Sequence, residues 1–489
     1  MHLDSNTKDK LLFQLNEIVE TGFLLTKEED LKPYECDGLS AYQRLPVAVV
    51  LPETVEQVQK IVQICSELKI PIVARGAGTG LSGGALPHEG GIILGLSRFN
   101  KIIDINTDNL TSTVQPGVRN LAISEAARPY GLYYAPDPSS QIACSIGGNV
   151  AENAGGVHCL KYGLTVQNVQ QVKIVTIDGT LLTLGSETLD TPGYDLLALI
   201  TGSEGMLGII VEIVVKLLPK PHSVKVLMAS FNKVEEAGNA VADIIGRGII
   251  PAGLEMMDKP AIEAAEAFAK ANYPLDAAAI LLCELDGDDD QLEEQVILVE
   301  ETLKSAKASH IVIAENPEDQ AKLWAGRKSA FPAVGRLSPD YYCMDGTIPR
   351  KQIAYVLQKI SEFSEHHGLL VANVFHAGDG NLHPLILYDA NIDGELETAE
   401  HFGADILELC VKVGGTITGE HGVGHEKMDQ MCVQFSDTEL TQFFAVKSAF
   451  DPDSLLNPGK AIPTLHRCAE LGAMHVHNGE LPHPEIPRF

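Results

Sequence analysis

The chain has 489 residues, of which 45% are hydrophobic and 21% are charged, so it has the composition of a folded protein of about three domains and is neither a disordered chain nor a small peptide binder. Lysine and arginine total 36 against 66 aspartate and glutamate, which gives a formal net charge of −30. Such a surface repels phosphate backbones and anionic headgroups and therefore excludes nucleic acid as an expected partner.

The first part of the chain alternates between helix and strand patterns. Apolar residues at helical spacing predict an N-terminal helix within residues 9–29, and a second helix is expected from Thr54 to about Leu68. The predicted strands cover residues 47–51, 71–74, 91–96, 112–115 and 172–177. We interpret residues 46–221 as one domain, preceded by a helical lead-in at residues 1–45.

After Pro219 and Pro221 the pattern changes to longer apolar strands separated by helices. The strands are predicted at residues 224–231, 254–257, 277–285 and 311–315, and two of the helices at 234–246 and 292–308. They indicate helices packed on an antiparallel or mixed sheet, and therefore a second, cap-like domain at residues 222–430. The acidic run at residues 286–290 is interpreted as a solvated loop rather than as a metal site.

Glycines are concentrated in the sequence RGAGTGLSGG at residues 75–84. Gly78, Gly80 and Gly83 match the G-x-G-x-x-G spacing of a Rossmann fingerprint, but the segment leads into a strand rather than into the helix which that fingerprint requires. Because glycine lacks a Cβ atom, the backbone N–H groups can approach a phosphate closely. The tract therefore predicts a pyrophosphate-binding loop that acts through its own backbone, with a purely structural turn as the alternative.

Further loops rich in small residues follow at 135–140, 145–156, 161–163 and 201–210. The order of these motifs resembles the FAD-binding domain of the vanillyl-alcohol oxidase and p-cresol methylhydroxylase superfamily. The resemblance implies an α+β fold: an FAD-binding domain of this type, a ferredoxin-like α+β cap domain, and a C-terminal helical segment at 431–489 that returns to the flavin.

The same resemblance implies non-covalent FAD, because residues 75–84 contain neither the histidine nor the cysteine that attaches the flavin in covalent members. The residues that it implies for FAD binding are Arg75, Gly76, Ala77, Gly78, Thr79, Gly80, Leu81, Ser82, Pro136, Asp137, Ser139, Gly147, Gly148, Asn149, Gly155, Gly156, Glu204, Gly208, Ile209 and Asn457.

Two histidines flank a short turn in the segment FHAGDGNLH at residues 375–383. The GDGN centre is typical of a turn, so His376 and His383 can converge on one point. Further along, Glu420 and His421 lie on the glycine-rich loop GEHGVG. Two imidazoles and one carboxylate suit Zn²⁺, and also Fe²⁺ or Mn²⁺. For each histidine taken alone, a position in the core or on the surface is the alternative.

These two segments together resemble the C-terminal half of FAD-linked 2-hydroxy-acid dehydrogenases. The resemblance implies that His376, His383 and Glu420 bind a divalent metal and that His421 is the catalytic base. Arg327 matches the arginine of the W-x-x-R motif that begins at Trp324, and the resemblance implies that it binds the carboxylate of the substrate. A guanidinium group can hold a carboxylate through two parallel hydrogen bonds.

A narrower resemblance extends over the whole chain. The segments 336–350, 371–387 and 450–470 and the tail at 472–485 are similar to the FAD-linked subunits of bacterial glycolate oxidases. This implies oxidation of glycolate to glyoxylate, with hydride transfer from the α carbon to flavin N5 and electron transfer through partner subunits to a quinone-type acceptor. The implied partners are a second flavoprotein-like subunit and an iron–sulfur subunit. The remaining histidines of interest, His425, His466, His475, His477 and His483, are interpreted as surface or partner-facing.

The nine cysteines form no C-x-x-C pair, which agrees with an iron–sulfur cluster carried by another subunit. We expect them to be buried thiols in a reducing compartment. With no basic leader and no run of 18 apolar residues, neither secretion nor a membrane span is expected. The predicted location is the cytoplasm, with peripheral attachment to the inner membrane through partner subunits as a further expectation.

Three alternative functions remain open from the sequence. The same catalytic groups could oxidise D-lactate or another D-2-hydroxy acid. A metallohydrolase could use His376, His383 and Glu420 without flavin, although this leaves the glycine-rich loops unexplained. A flavin-bearing assembly subunit without activity would bind the cofactor but would not reduce it with substrate.

Overall fold

The computed structural model describes residues 3–188 and 192–463. The first 219 residues contain a four-stranded sheet in the order β1-β2-β4-β3, a five-stranded sheet in the order β5-β6-β10-β8-β9, and the pair β7-β11. The strands are β1 (Leu24–Leu25), β2 (Ala48–Val50), β3 (Ile72–Arg75), β4 (Ile92–Gly95), β5 (Ile102–Asn106), β6 (Thr111–Val114), β7 (Leu132–Tyr133), β8 (Val169–Val175), β9 (Leu181–Gly185), β10 (Ile209–Lys216) and β11 (Leu218–Pro219).

The helices of this part are mostly short. They are α1 (Ser5–Asn16), α2 (Glu28–Leu31), α3 (Val55–Leu68), α4 (Asn120–Ala127), α5 (Ile146–Glu152), α6 (Cys159–Tyr162), α7 (Thr165–Asn168) and α8 (Leu196–Ile200), with 3-10 turns at Lys32–Tyr34 and Arg128–Tyr130. Helix α3 begins where the sequence predicts it, because the Thr54 side chain accepts from the N–H of Gln57 and the Gln57 side chain accepts from the N–H of Thr54.

The expected N-terminal helix is shorter than the range 9–29. Helix α1 ends at Asn16, and the backbone of Gly22 has a φ of +96°, which interrupts helical geometry. The chain then pairs Leu24 and Leu25 with Val50 and Val49 of β2. The apolar residues after Asn16 therefore pack as an edge strand and loop rather than as a continued helix.

The glycine-rich tract connects β3 to β4 without an intervening helix, and these two strands are parallel neighbours. The rejection of a Rossmann fingerprint is thus confirmed, because the tract opens no helix whose N-terminus could receive a pyrophosphate.

The second part of the chain is built on one seven-stranded sheet in the order β15-β12-β14-β13-β17-β18-β16. All of its pairings are antiparallel, and β15-β12-β14-β13 is the strand order of a ferredoxin-like unit that the other three strands extend. The strands are β12 (Ser223–Phe231), β13 (Gly253–Asp258), β14 (Ala279–Gly287), β15 (His310–Ile313), β16 (Asp340–Cys343), β17 (Val371–His376) and β18 (Pro384–Tyr388).

Helices cover both faces of this sheet. They are α9 (Val234–Gly246), α10 (Lys259–Ala269), α11 (Asp289–Ser305), α12 (Pro317–Lys328), α13 (Ala330–Val334), α14 (Ile353–His367) and α15 (Glu395–Lys412), with a 3-10 turn at Arg350–Gln352. Along β12, Leu227 faces one hydrophobic cluster and Met228 faces the other. A sheet buried on both faces explains why its strands are continuous apolar runs instead of alternating patterns.

The acidic run at 286–290 is not a solvated loop throughout, so that expectation is wrong for Asp286. Asp286 is buried, and its carboxylate accepts from the Lys161 ammonium and from the Tyr162 hydroxyl. A buried carboxylate requires such partners. Residues from Asp289 onward begin α11.

The C-terminal segment contains α16 (Met428–Gln434) and α17 (Asp437–Phe450) and then runs back to the first part of the chain. Phe450 packs against the cluster of the five-stranded sheet, and Leu456 lies in the core of the four-stranded one. Leu456 also forms a bridge with Ile72 beside β3. The domain edges proposed from the sequence stay predictions. The tail at 472–485 and His466, His475, His477 and His483 lie outside the described residues.

Within residues 3–188 and 192–463, seven cysteines are free thiols, and all of these except Cys36 are buried. Cys432 is disulfide-bonded, so the expectation of a thiol is wrong there. Among the described helices, none combines the length and the apolar character needed to cross a bilayer.

Candidate active site

A cavity of about 480 Å³ extends from the glycine-rich tract to the loop that carries Glu420 and His421. Its walls come from both parts of the chain, and it reaches His383 at the end beside the seven-stranded sheet. The residues expected to bind FAD that line it are Arg75, Gly76, Ala77, Gly78, Thr79, Gly80, Leu81, Ser139, Gly147, Gly148, Asn149, Glu204 and Gly208.

Seven residues expected to bind FAD do not line this cavity: Ser82, Pro136, Asp137, Gly155, Gly156, Ile209 and Asn457. Two of them support the walls instead. The Asn457 side chain donates to the backbone carbonyls of Gly84 at 3.0 Å and Glu204 at 2.7 Å, and Asp137 lies 2.8 Å from the imidazole of His158. A sequence motif marks such a loop but does not separate its lining residues from its supporting ones.

The glycine tract forms a cradle that side chains would fill. A Cβ on Gly76 would collide with Oγ of Ser145, and Gly78 has a φ of +70° with the Arg75 guanidinium against it. Arg75 is held there by a 2.7 Å hydrogen bond from Nη1 to the carbonyl of Cys36. Backbone amides exposed in this way fit the pyrophosphate of a dinucleotide.

Two buried carboxylates, Glu152 and Glu204, line the same cavity, and the sequence analysis missed Glu152. Glu204 accepts from the backbone N–H groups of Val423 and Gly424, each at 2.7 Å. It thereby ties the loop of Glu420 and His421 to the glycine-rich part of the fold. Burial and the nearby Glu204 raise the pKa of Glu152 well above its ordinary value.

The two histidines of the FHAGDGNLH segment converge as the turn chemistry predicts. His376 ends β17, His383 directly precedes β18, and their rings lie 5.1 Å apart. Glu420 joins them: its Oε1 lies 3.3 Å from Nε2 of His376 and 2.8 Å from Nε2 of His383. All three donor atoms lie within 4.8 Å of one another.

The chemistry of this donor set fits a divalent cation. Burial would raise the pKa of Glu420, but His376 and His383 hold it well below its ordinary value, so the carboxylate is charged. Oε2 of Glu420 is buried without a hydrogen-bond partner among the described residues. An ion beside Glu420 would satisfy this oxygen, which is otherwise costly to bury.

Glu255 orients His376 from behind, and the sequence analysis did not identify it. Its Oε1 lies 2.7 Å from Nδ1 of His376, and its Oε2 lies 2.8 Å from Nε and 2.7 Å from Nη2 of Arg327. All three side chains are at least 96% buried. A carboxylate behind a metal-binding histidine fixes the tautomer and the orientation of the ring. The only sequence signal is a single acid in the apolar run LEMM at residues 254–257.

Arg327 is not among the residues that line the main cavity. It lies on the buried face of α12 with Trp324, whose indole donates to Glu284 at 2.6 Å. Glu255 accepts from Nε and lies at ion-pair distance from Nη2. Nη2 is buried without a hydrogen-bond partner among the described residues, so its N–H groups are left for an anion. The neighbouring Lys328 and the ring of Phe331 do line the cavity, and the sequence analysis missed both.

Asp345 holds the loop that carries Glu420 and His421. Its carboxylate accepts from the backbone N–H groups of Gly419, Glu420 and His421 at 2.9–3.1 Å, and Oδ2 lies 3.1 Å from Nζ of Lys427. Both charged side chains are fully buried. Burial would raise the pKa of Asp345, but the Lys427 ammonium holds it well below its ordinary value, so Asp345 stays a charged acceptor.

His421 lies flat against His383, with ring centroids 5.0 Å apart and an interplanar angle of 10°. It lines the main cavity, and Nε2 is 4.0 Å from Oε1 of Glu420. Burial lowers the pKa of His421 to about 4, so the ring is neutral near pH 7 and can accept a proton. His425, expected at the surface or facing a partner, is half-buried against the Tyr42 ring, 3.3 Å from the Arg44 guanidinium.

Known protein families match both parts of the chain. Residues 46–185 match a family described as an FAD binding domain, and residues 220–461 match the C-terminal domain of FAD linked oxidases. The chain is 62% identical over 482 residues to the glycolate oxidase subunit GlcD of Escherichia coli (strain K12), which covers 99% of this chain and 97% of that protein. The chain belongs to the FAD-linked oxidase family.

This oxidase is also similar to a D-lactate dehydrogenase in sequence and to p-cresol methylhydroxylase in structure. It is 33% identical over 447 residues to the D-lactate dehydrogenase of Anaerostipes hadrus, with 89% of this chain and 94% of that protein covered. The structure of p-cresol methylhydroxylase with substrate bound superposes with a TM-score of 0.81 over 95% of this chain and 98% of that chain, at 18% identity. The expected α+β fold, with an FAD-binding domain of the p-cresol methylhydroxylase type, is confirmed.

The family also decides between the classes of function that the sequence left open. An FAD-binding domain accounts for the glycine-rich loops that a flavin-free metallohydrolase would leave unexplained. The oxidase is therefore a flavoprotein of the oxidoreductase class.

Proposed function

We propose that this FAD-linked oxidase oxidises glycolate to glyoxylate in the cavity described above. The observation that carries the proposal is the continuity of that cavity: the glycine-rich FAD loop lines one end, and His383, Glu420 and His421 line the other. The glycolate oxidase subunit GlcD of E. coli, at 62% identity, supports glycolate as the substrate.

In this proposal the carboxylate of the substrate binds Arg327 through Nη2, which has no hydrogen-bond partner among the described residues. Glu255 holds the guanidinium through Nε and lies at ion-pair distance from Nη2, so the arginine has one orientation when the substrate arrives. A preorganised fork loses little entropy on binding a carboxylate. Lys328, the next residue in the chain, lines the main cavity and adds a second positive charge.

The proton of the substrate hydroxyl goes to Nε2 of His421. The His421 ring is held in place by stacking on His383, and the backbone N–H of His421 donates a hydrogen bond to Asp345. The lowered pKa of His421 keeps it unprotonated before the substrate binds. Because His421 lies next to Glu420, the hydroxyl group of the substrate binds close to both side chains in this proposal.

We further propose that His376, His383 and Glu420 hold a divalent metal, Zn²⁺ or alternatively Fe²⁺ or Mn²⁺. Such an ion would act as a Lewis acid that lowers the pKa of the bound hydroxyl group. Non-covalent FAD would supply the two-electron acceptor for the hydride from the α carbon. Burial would lower the pKa of His376, but Glu255 and Glu420 raise it well above its ordinary value, so metal uptake would release a proton.

In this proposal, partner subunits carry out the electron transfer that follows flavin reduction. The E. coli relative is named as a subunit, which supports a complex in which a flavoprotein-like subunit and an iron–sulfur subunit pass electrons to a quinone-type acceptor. In this proposal the complex is cytoplasmic and peripheral to the inner membrane.

A second candidate is oxidation of D-lactate by the same groups, which the 33% identical D-lactate dehydrogenase favours. D-lactate differs from glycolate by one methyl group, and one such group is worth about 1–3 kcal/mol in a hydrophobic pocket. The ratio of kcat/KM for the two acids therefore decides between them.

The test is anaerobic reduction of the flavin. The purified protein, loaded with FAD, is mixed with glycolate, and the visible flavin band is followed. Bleaching supports the proposed half-reaction, and D-lactate under the same conditions measures specificity. A flavin band that persists with glycolate, with metal and FAD both bound, contradicts the proposal.

A further inference from the structure

A second, smaller cavity of about 220 Å³ lies between the N-terminal segment at 38–41 and the edge of the seven-stranded sheet. Its outer residues, Ser40 and Pro339, are exposed. At its inner end it is lined by Cys343, the last residue of β16, which is buried. The cavity therefore leads from solvent toward the interior of the sheet edge.

The inner end of this cavity meets the candidate active site. Sγ of Cys343 and donor atoms of His383 and His421 all lie within 4.8 Å of one another. Leu81 of the glycine-rich tract lines both the small cavity and the main one. Two side chains, Leu81 and Cys343, thus separate the small cavity from the point where the substrate hydroxyl is proposed to bind.

Cys343 contributes a small side chain to the inner end of the small cavity. Burial and the carboxylate of Asp345 raise the pKa of its thiol well above the ordinary value, so the thiolate that reacts with a thiol reagent is a minor species. The Cys343 sulfur lies 3.5 Å from the backbone carbonyl of Met344. A cysteine here leaves more room than a longer side chain would.

FAD in the main cavity would occupy the space along the glycine-rich tract, so a substrate needs a separate way to the buried cluster. We propose that the small cavity is the entry passage for the 2-hydroxy acid and that Cys343 is its inner constriction. Leu81 and Cys343 both line this passage, and we expect it to favour slender acids such as glycolate over acids branched at the α carbon. This inference rests on the proposed function for the identity of the molecule that enters.

The first test reports on the passage without requiring activity. FAD-loaded protein is treated with methyl methanethiosulfonate at one mildly alkaline pH. The Cys343 sulfur forms a mixed disulfide, methanesulfinate leaves, and the thiol proton goes to solvent. Mass spectrometry of the peptide that contains Cys343 gives the extent of labelling. We compare wild type with Ser40→Trp at the mouth of the passage and with Ser361→Trp, an exposed serine on α14.

Because burial keeps most of the Cys343 thiol protonated, labelling is expected to be slow in the wild type and in Ser361→Trp, and several-fold slower still in Ser40→Trp. Pro339→Phe narrows the opposite side of the mouth and gives the same slowing, which covers the case in which Ser40→Trp does not fold. Equal labelling in all variants, or labelling that requires removal of FAD, overturns the passage.

The second test uses the reaction itself. Ser40→Trp is expected to lower the second-order rate constant for flavin reduction by glycolate and to leave the limiting rate at saturation unchanged, because entry is slowed and chemistry is not. An unchanged second-order constant overturns the passage. If wild-type flavin is not reduced by glycolate, the proposed function fails while the labelling result still decides whether the passage exists.

Discussion

Oε1 of Glu255 lies 2.7 Å from Nδ1 of His376, and the other oxygen of the same carboxylate holds Arg327. One buried residue thus orients both the histidine proposed to bind metal and the arginine proposed to bind substrate. Burial would raise the pKa of Glu255, but His376 and Arg327 lower it below its ordinary value, so the carboxylate stays charged between them.

Glu255→Gln is expected to weaken metal binding by about 10- to 100-fold, because the amide no longer fixes the tautomer of His376 with a negative charge. The measurement is competition for Zn²⁺ against a chromophoric chelator. Glu284→Gln, on the neighbouring strand β14, is the matched control, because Glu284 contacts His158 and Trp324 instead. Equal affinity in wild type and Glu255→Gln would refute the orienting role.

His421→Ala is expected to slow flavin reduction by glycolate by about 10²- to 10⁴-fold, the usual contribution of a general base. FAD and metal contents should equal those of wild type, because His421 is not among the proposed ligands. The measurement is stopped-flow absorbance under anaerobic conditions. His425→Ala removes another imidazole from the same loop and should keep the wild-type rate; unchanged kinetics in His421→Ala would exclude it as the base.

Asp345→Asn is expected to reduce both stability and flavin reduction, because three backbone N–H groups lose a charged acceptor and the buried Lys427 loses its nearest counter-ion, leaving only Glu426 at 3.8 Å. Breaking a buried pair in this way costs about 3–5 kcal/mol.

The double variant Asp345→Asn with Lys427→Met separates the two effects. Removing the Lys427 ammonium should restore much of the stability in chemical unfolding, whereas the rate of flavin reduction should stay low because the loop of Glu420 and His421 is still unanchored. Recovery of both quantities would show that Asp345 serves only to neutralise Lys427.

The sequence predicts those parts of the site that depend on local chemistry. The glycine tract and the turn between His376 and His383 are recognisable because glycine, asparagine and aspartate have specific backbone preferences. Glu255 and Asp345 were missed, because each is a single acid near an apolar run and its partners lie far away in sequence. Only the packed structure brings Asp345 to the loop at 418–421.

The same limit applies to the fold. Strand and helix positions in the second domain follow from apolar periodicity, and α9 has the bounds that the sequence predicts. The N-terminal helix was extended too far, because apolar spacing alone does not distinguish a continued helix from a strand that pairs with β2.

His158 joins the two parts of the chain, with Nδ1 2.8 Å from Asp137 and Nε2 3.0 Å from Glu284. Burial would lower the pKa of His158, but the two carboxylates raise it well above its ordinary value of 6.5. Because the folded-state pKa is raised, the stabilisation is complete below the unfolded-state pKa and is lost as the pH rises through the folded-state pKa.

Melting temperatures measured from mildly acidic to alkaline pH should therefore show a wild-type advantage over His158→Gln that is largest at the acidic end. The advantage should shrink as the pH rises. His222→Gln, at an exposed histidine, is the control and should show no such trend. A pH-independent difference for His158→Gln would exclude the charged contact.

In the proposed reaction, the flavin and the imidazole–carboxylate cluster act on one substrate in one cavity. The most direct measurement is the rate of anaerobic flavin reduction by glycolate compared with glycolate deuterated at the α carbon, using protein that contains both FAD and metal. We predict that glycolate bleaches the flavin and that deuteration slows the bleaching, because the C–H bond breaks in that step. A flavin that glycolate does not reduce would contradict the account.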